Sequence, residues 1–196
     1  MDLIARIGTH FTESIEVKKQ CEEILPTNIA LAAECLVASF MSEGKVLACG
    51  NGGSAADAQH FSAELVGRFE KERPGLASIA LTTDTSALTA IGNDYDFELI
   101  FSKQVRALGQ ANDVLVAIST SGNSANVLEA VHAAHEKGMK VIALTGKDGG
   151  QIAAALTNQD ILLNVPYHRT ARIQEVHITA IHALCDAIDF ILLGGE

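Results

Sequence analysis

No stretch of this sequence approaches the roughly twenty uninterrupted apolar residues of a membrane span, which argues against an integral membrane protein. Residues 1–10, MDLIARIGTH, lack the cationic start and apolar run of a secretory signal, so a cytoplasmic location is expected. No CxxC pair occurs. Cys21, Cys35, Cys49 and Cys185 stand scattered among apolar neighbours and read as reduced, mostly buried thiols, neither a disulfide framework nor a cysteine zinc site. Positive charge is scarce: 14 Lys and Arg against 24 Asp and Glu give a formal net charge of −10. That balance discourages nucleic acid and anionic membranes as general partners. There is no Walker loop and no GxGxxG loop, so ATP and NAD are poorly supported. Neither an internal repeat nor a low-complexity linker divides the 196 residues, which fit one domain, 1–196.

What is present is alternation. Ile4, Ile7, Phe11 and Ile15 recur at helical spacing until Pro26, and a second helical run extends from about Asn28 to Met41, closed by Gly44. These two helices (residues 1–43) precede an α/β core (residues 44–196). Strands are predicted at Lys45–Cys49, Ser78–Leu81, Asp113–Ile118, Lys140–Leu144 and Asp160–Val165. Helices are predicted at Ala55–Gly67, Ser86–Ile91, Glu98–Leu108, from Ser124 to His135, at Gln151–Leu156 and at Thr170–Leu193. The alternation implies right-handed crossovers and a five-stranded parallel sheet sandwiched by helices, with any ligand outside the carboxyl ends of the strands.

Two loops fall at those ends. Asn51, Gly52, Gly53 and Ser54 follow the first strand and open a helix, where glycine lets backbone approach a ligand and the helix start presents free N–H groups. A plain turn with a serine cap would read the same way. The second loop is more telling: Ser119, Thr120, Ser121 and Ser124 put four hydroxyls at a helix start. Hydroxyls and backbone N–H groups make a neutral cradle for a phosphate dianion, which suits a binder of anions in so acidic a chain. His60 and Glu64, four residues apart, lie about 40° apart on one helix face, as a metal pair, an acid/base pair or a surface pair would. In the apolar final helix Gln174, His177 and His182 must be hydrogen-bonded, liganded or turned into a cleft. Gln174 and His182 are two turns apart and can share a site, while His177 reads as a satisfied core histidine. Asn93 and Asp94 form a turn signature whose side chains could equally bind sugar hydroxyls.

Five segments in order, CGNGGSAADAQHFSAEL, GNDYDF, ISTSGNSANV, ALTGKDGG and ARIQEVHITAIH, resemble the SIS (sugar isomerase) domain, and within it the bacterial phosphoheptose isomerases. The resemblance spans nearly the whole chain and implies a flavodoxin-like doubly wound fold. It further implies interconversion of sedoheptulose 7-phosphate and an aldose 7-phosphate, heptose supply for lipopolysaccharide, and a homotetramer. By the same resemblance Asn51, Gly52, Gly53, Ser54, Ser119, Thr120, Ser121 and Ser124 bind the sugar phosphate, with Asn93 and Asp94 on the sugar. One Zn2+ per subunit would sit on His60, Glu64, Gln174 and His182, with Glu64 as base and His182 as its acid/base partner. A zinc-bound carboxylate is a weaker base, so Glu64 would exchange between the two roles or the metal would be partly structural. The competing expectation is a non-catalytic tetrameric SIS adaptor that binds the replication initiator protein. An adaptor has no need of Glu64 and His182, which favours the enzyme. A phosphosugar-sensing regulator would need a basic DNA-binding segment that this chain does not carry.

Overall fold

The computed structural model describes residues 2–194, so residues 1, 195 and 196 of the expected 1–196 domain lie outside the described residues. Asp2 caps the first helix, α1 (Leu3–Ile24), by accepting from the Ala5 amide at 2.8 Å. Pro26 starts α2 (Pro26–Met41) instead of leaving a gap before it, because proline lacks only an N–H that the first turn does not use. The two helices meet at Leu25 with a bend of 67°.

The strands are β1 (Val46–Gly50), β2 (Ser78–Ala80), β3 (Val114–Ser119), β4 (Lys140–Gly146) and β5 (Ile161–Val165). All pair in parallel, in the order β2-β1-β3-β4-β5. Between them run α3 (Gly53–Val66), α4 (Thr85–Asp94), a 3-10 turn (Phe97–Leu99), α5 (Ser102–Leu108), α6 (Ala125–Glu136) and α7 (Gly150–Ala155); α8 (Thr170–Leu193) ends the fold.

Every residue of β1 and β3 is buried, as a strand covered on both faces requires. Alternate residues serve opposite cores. Val46, Ala48, Val116 and Ile118 join Leu36, Phe61, Ile181 and Leu184 under α2, α3 and α8. Leu47, Cys49, Leu115 and Ala117 join Phe101, Val105, Val131 and Ile152 under α5, α6 and α7. By length and composition alone α8 could cross a bilayer. Its buried Arg172, His177 and Asp189 instead find partners within the protein, and its apolar face lies in the first core.

Strand order reverses between β1 and β3, so the loops that follow these two strands open side by side at the switch point, with Gly50 in register with Ile118. Most strand and helix ends shift by one or two residues from the sequence expectation, and three differences bear on the site. Helix α3 begins at Gly53, so Ser54 lies in its first turn and the cap is Gly52, at φ 57°. Helix α4 runs on to Asp94, which moves Asn93 and Asp94 from a turn into its last turn. The segment expected as one helix over Glu98–Leu108 divides into the 3-10 turn and α5, because Asp96 caps locally by accepting from the Glu98 amide.

Candidate active site

The loop after β3 is held from three sides. Ser119 and Ser124 hydroxyls lie 2.8 Å apart, and Ser121 Oγ accepts from the Asn123 amide at 3.1 Å. The Asn123 side chain accepts from the Gln151 amide at 3.1 Å, and the Gly122 carbonyl from Ile152 at 2.9 Å, tying the loop to the start of α7. Ser124 stands at the cap position of α6 yet makes no side-chain cap bond, so its hydroxyl turns toward Ser119 and into the cradle. Ser124 also opens α6, whose first amides lack intrahelical acceptors.

Across the switch point, Asn51 and Asn126 exchange amide bonds of 2.8 and 2.9 Å, joining the first loop to α6. Asn51 is therefore half committed to the scaffold. A cleft of about 460 Å³ lies beside this loop, lined by Asn51, Gly52, Ala55, Leu88, Phe97 and Phe101 among others. Asn93 donates to Asp94 at 2.9 Å on the exposed end of α4, and neither residue lines that cleft.

Helices α3 and α8 meet at the candidate acid/base groups. His60 Nε2 lies 2.9 Å from His182 Nε2 and 3.4 Å from Glu64 Oε1. At the first contact one imidazole must donate and the other accept. Phe69 stacks on His182 with centroids 5.6 Å apart. Gln174 approaches the start of α3 so closely that a Cβ at Gly53 would lie 2.3 Å from its Nε2 and displace the amide. The site is open: the His60 side chain is 40% exposed. Two imidazole nitrogens and a carboxylate oxygen are donors that suit zinc. No group of three or more His, Cys, Asp or Glu side chains is assembled as a metal cage among the described residues, so the fit is one of donor chemistry.

His177 is apart from this group. It is buried, with Nε2 2.9 Å from the Thr145 carbonyl and Nδ1 without a partner. Burial pulls its pKa down to about 4, against a smaller rise from that hydrogen bond.

Three features had gone unread in the sequence. Asp57, one turn before His60, has a buried Oδ2 with no partner, and burial raises its pKa against a smaller lowering by His60. An acidic residue three positions before a site histidine was a usable signal. Asn126 has a legible address, next to the hydroxyl loop. Arg73, in the segment after α3, and Asp189 of α8, by contrast, form a buried ion pair of 2.6 Å that no local pattern announces.

A doubly wound parallel sheet with a hydroxyl cradle and a glycine loop at its switch point, and two histidines and a glutamate beside them, defines a sugar-phosphate-handling α/β domain. The SIS domain family model matches residues 9–146. Over all 196 residues the chain is 71% identical to phosphoheptose isomerase of Laribacter hongkongensis, covering 100% of both chains. Phosphoheptose isomerase GmhA from Neisseria gonorrhoeae superposes with a TM-score of 0.92 at 64% identity, covering 96% of this chain and 99% of that one. A phosphoheptose isomerase from Francisella tularensis gives 0.94 at 48% identity, with the same coverage. The chain belongs to the SIS-domain family, in its phosphoheptose isomerase branch.

Proposed function

We propose that the chain isomerises sedoheptulose 7-phosphate to D-glycero-D-manno-heptose 7-phosphate, a precursor of ADP-heptose and the lipopolysaccharide core. The observation that carries the proposal is the convergence of Glu64, His60 and His182 where α3 meets α8. In this reading Ser119, Thr120, Ser121, Ser124 and the start of α6 hold the phosphate. Asn51, Gly52, Gly53 and Ser54 hold the sugar near the carbonyl, with Asn93 and Asp94 on the remaining hydroxyls.

Glu64 takes the C1 proton of the ketose and returns it to C2. His182 moves the other proton between the two oxygens, so the pair passes through an enediol and no proton is lost. His60, Glu64, Gln174 and His182 would hold one zinc per subunit; when bound, it supplies positive charge beside the developing oxyanion. With that metal bound, Glu64 would exchange between the ligand and base roles, or the metal would be partly structural.

The same proposal covers the chain's organisation. It forms a single domain, and the homotetramer that the family resemblance implies is supported by an apolar stripe of α1, Leu3, Ile4, Ile7, Phe11 and Ile15, each more than half exposed. Four free cysteines and a phosphorylated substrate suit the cytoplasm.

The test is to incubate zinc-loaded protein with sedoheptulose 7-phosphate and follow the aldose by NMR. Turnover is expected in the wild type, with a loss of roughly a hundredfold or more in folded Glu64→Gln and His182→Ala variants. An inert wild type with metal bound and its assembly intact would overturn the isomerase and favour the adaptor.

A further inference from the structure

Helix α3 carries His60 and Glu64, and α8 carries Gln174 and His182, so the site exists only while the two helices keep one register. Arg73, in the segment between α3 and β2, sits where that register is decided. Its Nε donates to Asp189 Oδ1 at 2.6 Å. One terminal nitrogen donates to the Leu65 carbonyl at 3.0 Å and, more weakly, to Pro74 at 3.3 Å, and the other donates to the carbonyl of Glu64 itself at 2.9 Å. The side chains of Arg73 and Asp189 are 1% and 3% exposed. The last carbonyls of a helix lack intrahelical partners and carry the negative end of its dipole, so a buried guanidinium there is a cap supplied from outside the helix. Only a planar fork can serve two helix carbonyls and a carboxylate together.

The other end of the clamp is equally placed. Asp189 lies seven residues beyond His182, two helical turns that return to within about 20° of the same face. Cys185, between them, is buried, and the bonds of Arg73 to Asp189 and to the Glu64 and Leu65 carbonyls set this face of α8 along the end of α3. We infer that Arg73 and Asp189 are positioning residues, which fix the end of α3 that bears Glu64 against the face of α8 that bears His182. They touch no substrate and act through the backbone of Glu64. This inference rests on the isomerase reading above.

A buried ion pair can be replaced by apolar residues of similar volume with little loss of stability, and this separates positioning from simple support. The variant is Arg73→Met with Asp189→Leu, measured beside the wild type for thermal midpoint, kcat, KM for sedoheptulose 7-phosphate, and zinc affinity by chelator competition. With the midpoint recovered relative to Arg73→Met alone, kcat is expected to fall at least about tenfold and zinc affinity about tenfold, as for other groups that orient ligands. KM should stay within about twofold, because the hydroxyl cradle belongs to α6 and is untouched. A doubly apolar variant that keeps wild-type kcat and zinc affinity overturns the inference. Should that variant not fold, Arg73→Lys decides: it keeps the charge facing Asp189 and loses the fork. A fall in kcat of about fivefold or more at unchanged KM supports the clamp, and wild-type kcat overturns it. Failure of the isomerase reading looks different, since the wild type would then show no turnover at all.

Discussion

His177 and His182 lie on the same helix five residues apart, and burial gives them opposite uses. His182 reaches His60 at the open site, whereas His177 is sealed between α8 and β4 with one nitrogen satisfied. Its folded pKa of about 4 lies below the usual value of 6.5, so the unfolded chain binds this proton first as the medium is acidified. Its stabilising contribution is therefore complete above pH 6.5 and is lost as the pH falls toward about 4. The two values imply a loss of about 3 kcal/mol, to order of magnitude, across that window. Urea unfolding near pH 7 and near pH 4.5 checks this: His177→Gln should show a markedly smaller acid destabilisation than the wild type. An unchanged pH dependence would mean that some other group governs acid unfolding.

At the scale of elements, the cradle depends on one backbone conformation. Gly122 has φ 66°, and a Cβ there would lie 2.0 Å from the Gly149 carbonyl. Gly122→Ala therefore adds left-handed strain of roughly 1–2 kcal/mol and drives the loop from α7, misplacing the hydroxyls of Ser119, Ser121 and Ser124. A lower thermal midpoint and a KM raised about tenfold are expected, with kcat less affected; an unchanged KM would show that the loop does not set phosphate affinity. Such loops were legible because glycine and hydroxyl residues interrupt strong apolar strands at fixed addresses, and the strand and helix periods disagree only where a loop must fall. Helix ends were less legible. Asp84 caps α4 and its last turn continues through Gly92, since apolar packing outweighs the turn preference of Asn93 and Asp94. The contact between His60 and His182 was legible only as two separate helix faces; their meeting depends on α3 packing on α8, across a separation that no local pattern spans. The Arg73 clamp was invisible for the same reason, because its partners are backbone carbonyls and one distant carboxylate.

The molecule as a whole has a surface that one subunit leaves unfinished. Val17 and Cys21 bury one side of α1, while Ile4 and Phe11 are 83% and 70% exposed on the other. The sequence periodicity thus marked an apolar face that the chain's own core does not use. Next to it an apolar groove of about 220 Å³ runs between α1, α2 and α8, lined by Cys21, Leu25, Ile29, Val176 and Ala180. A second copy seated there would cover both surfaces. Phe11→Asp puts a charge into that contact, a change that costs about 3 kcal/mol or more where the partner surface is apolar, equivalent to weakening association at least about a hundredfold. Light scattering should then find the wild type at four times the 20.7 kDa subunit mass and the variant at a smaller multiple. Because Phe11 is exposed in the single chain, the variant's circular dichroism should be unchanged, and activity should fall with assembly if neighbouring subunits complete the site. A wild type that scatters as a monomer would leave the α1 stripe without this explanation and make each subunit's open site complete by itself.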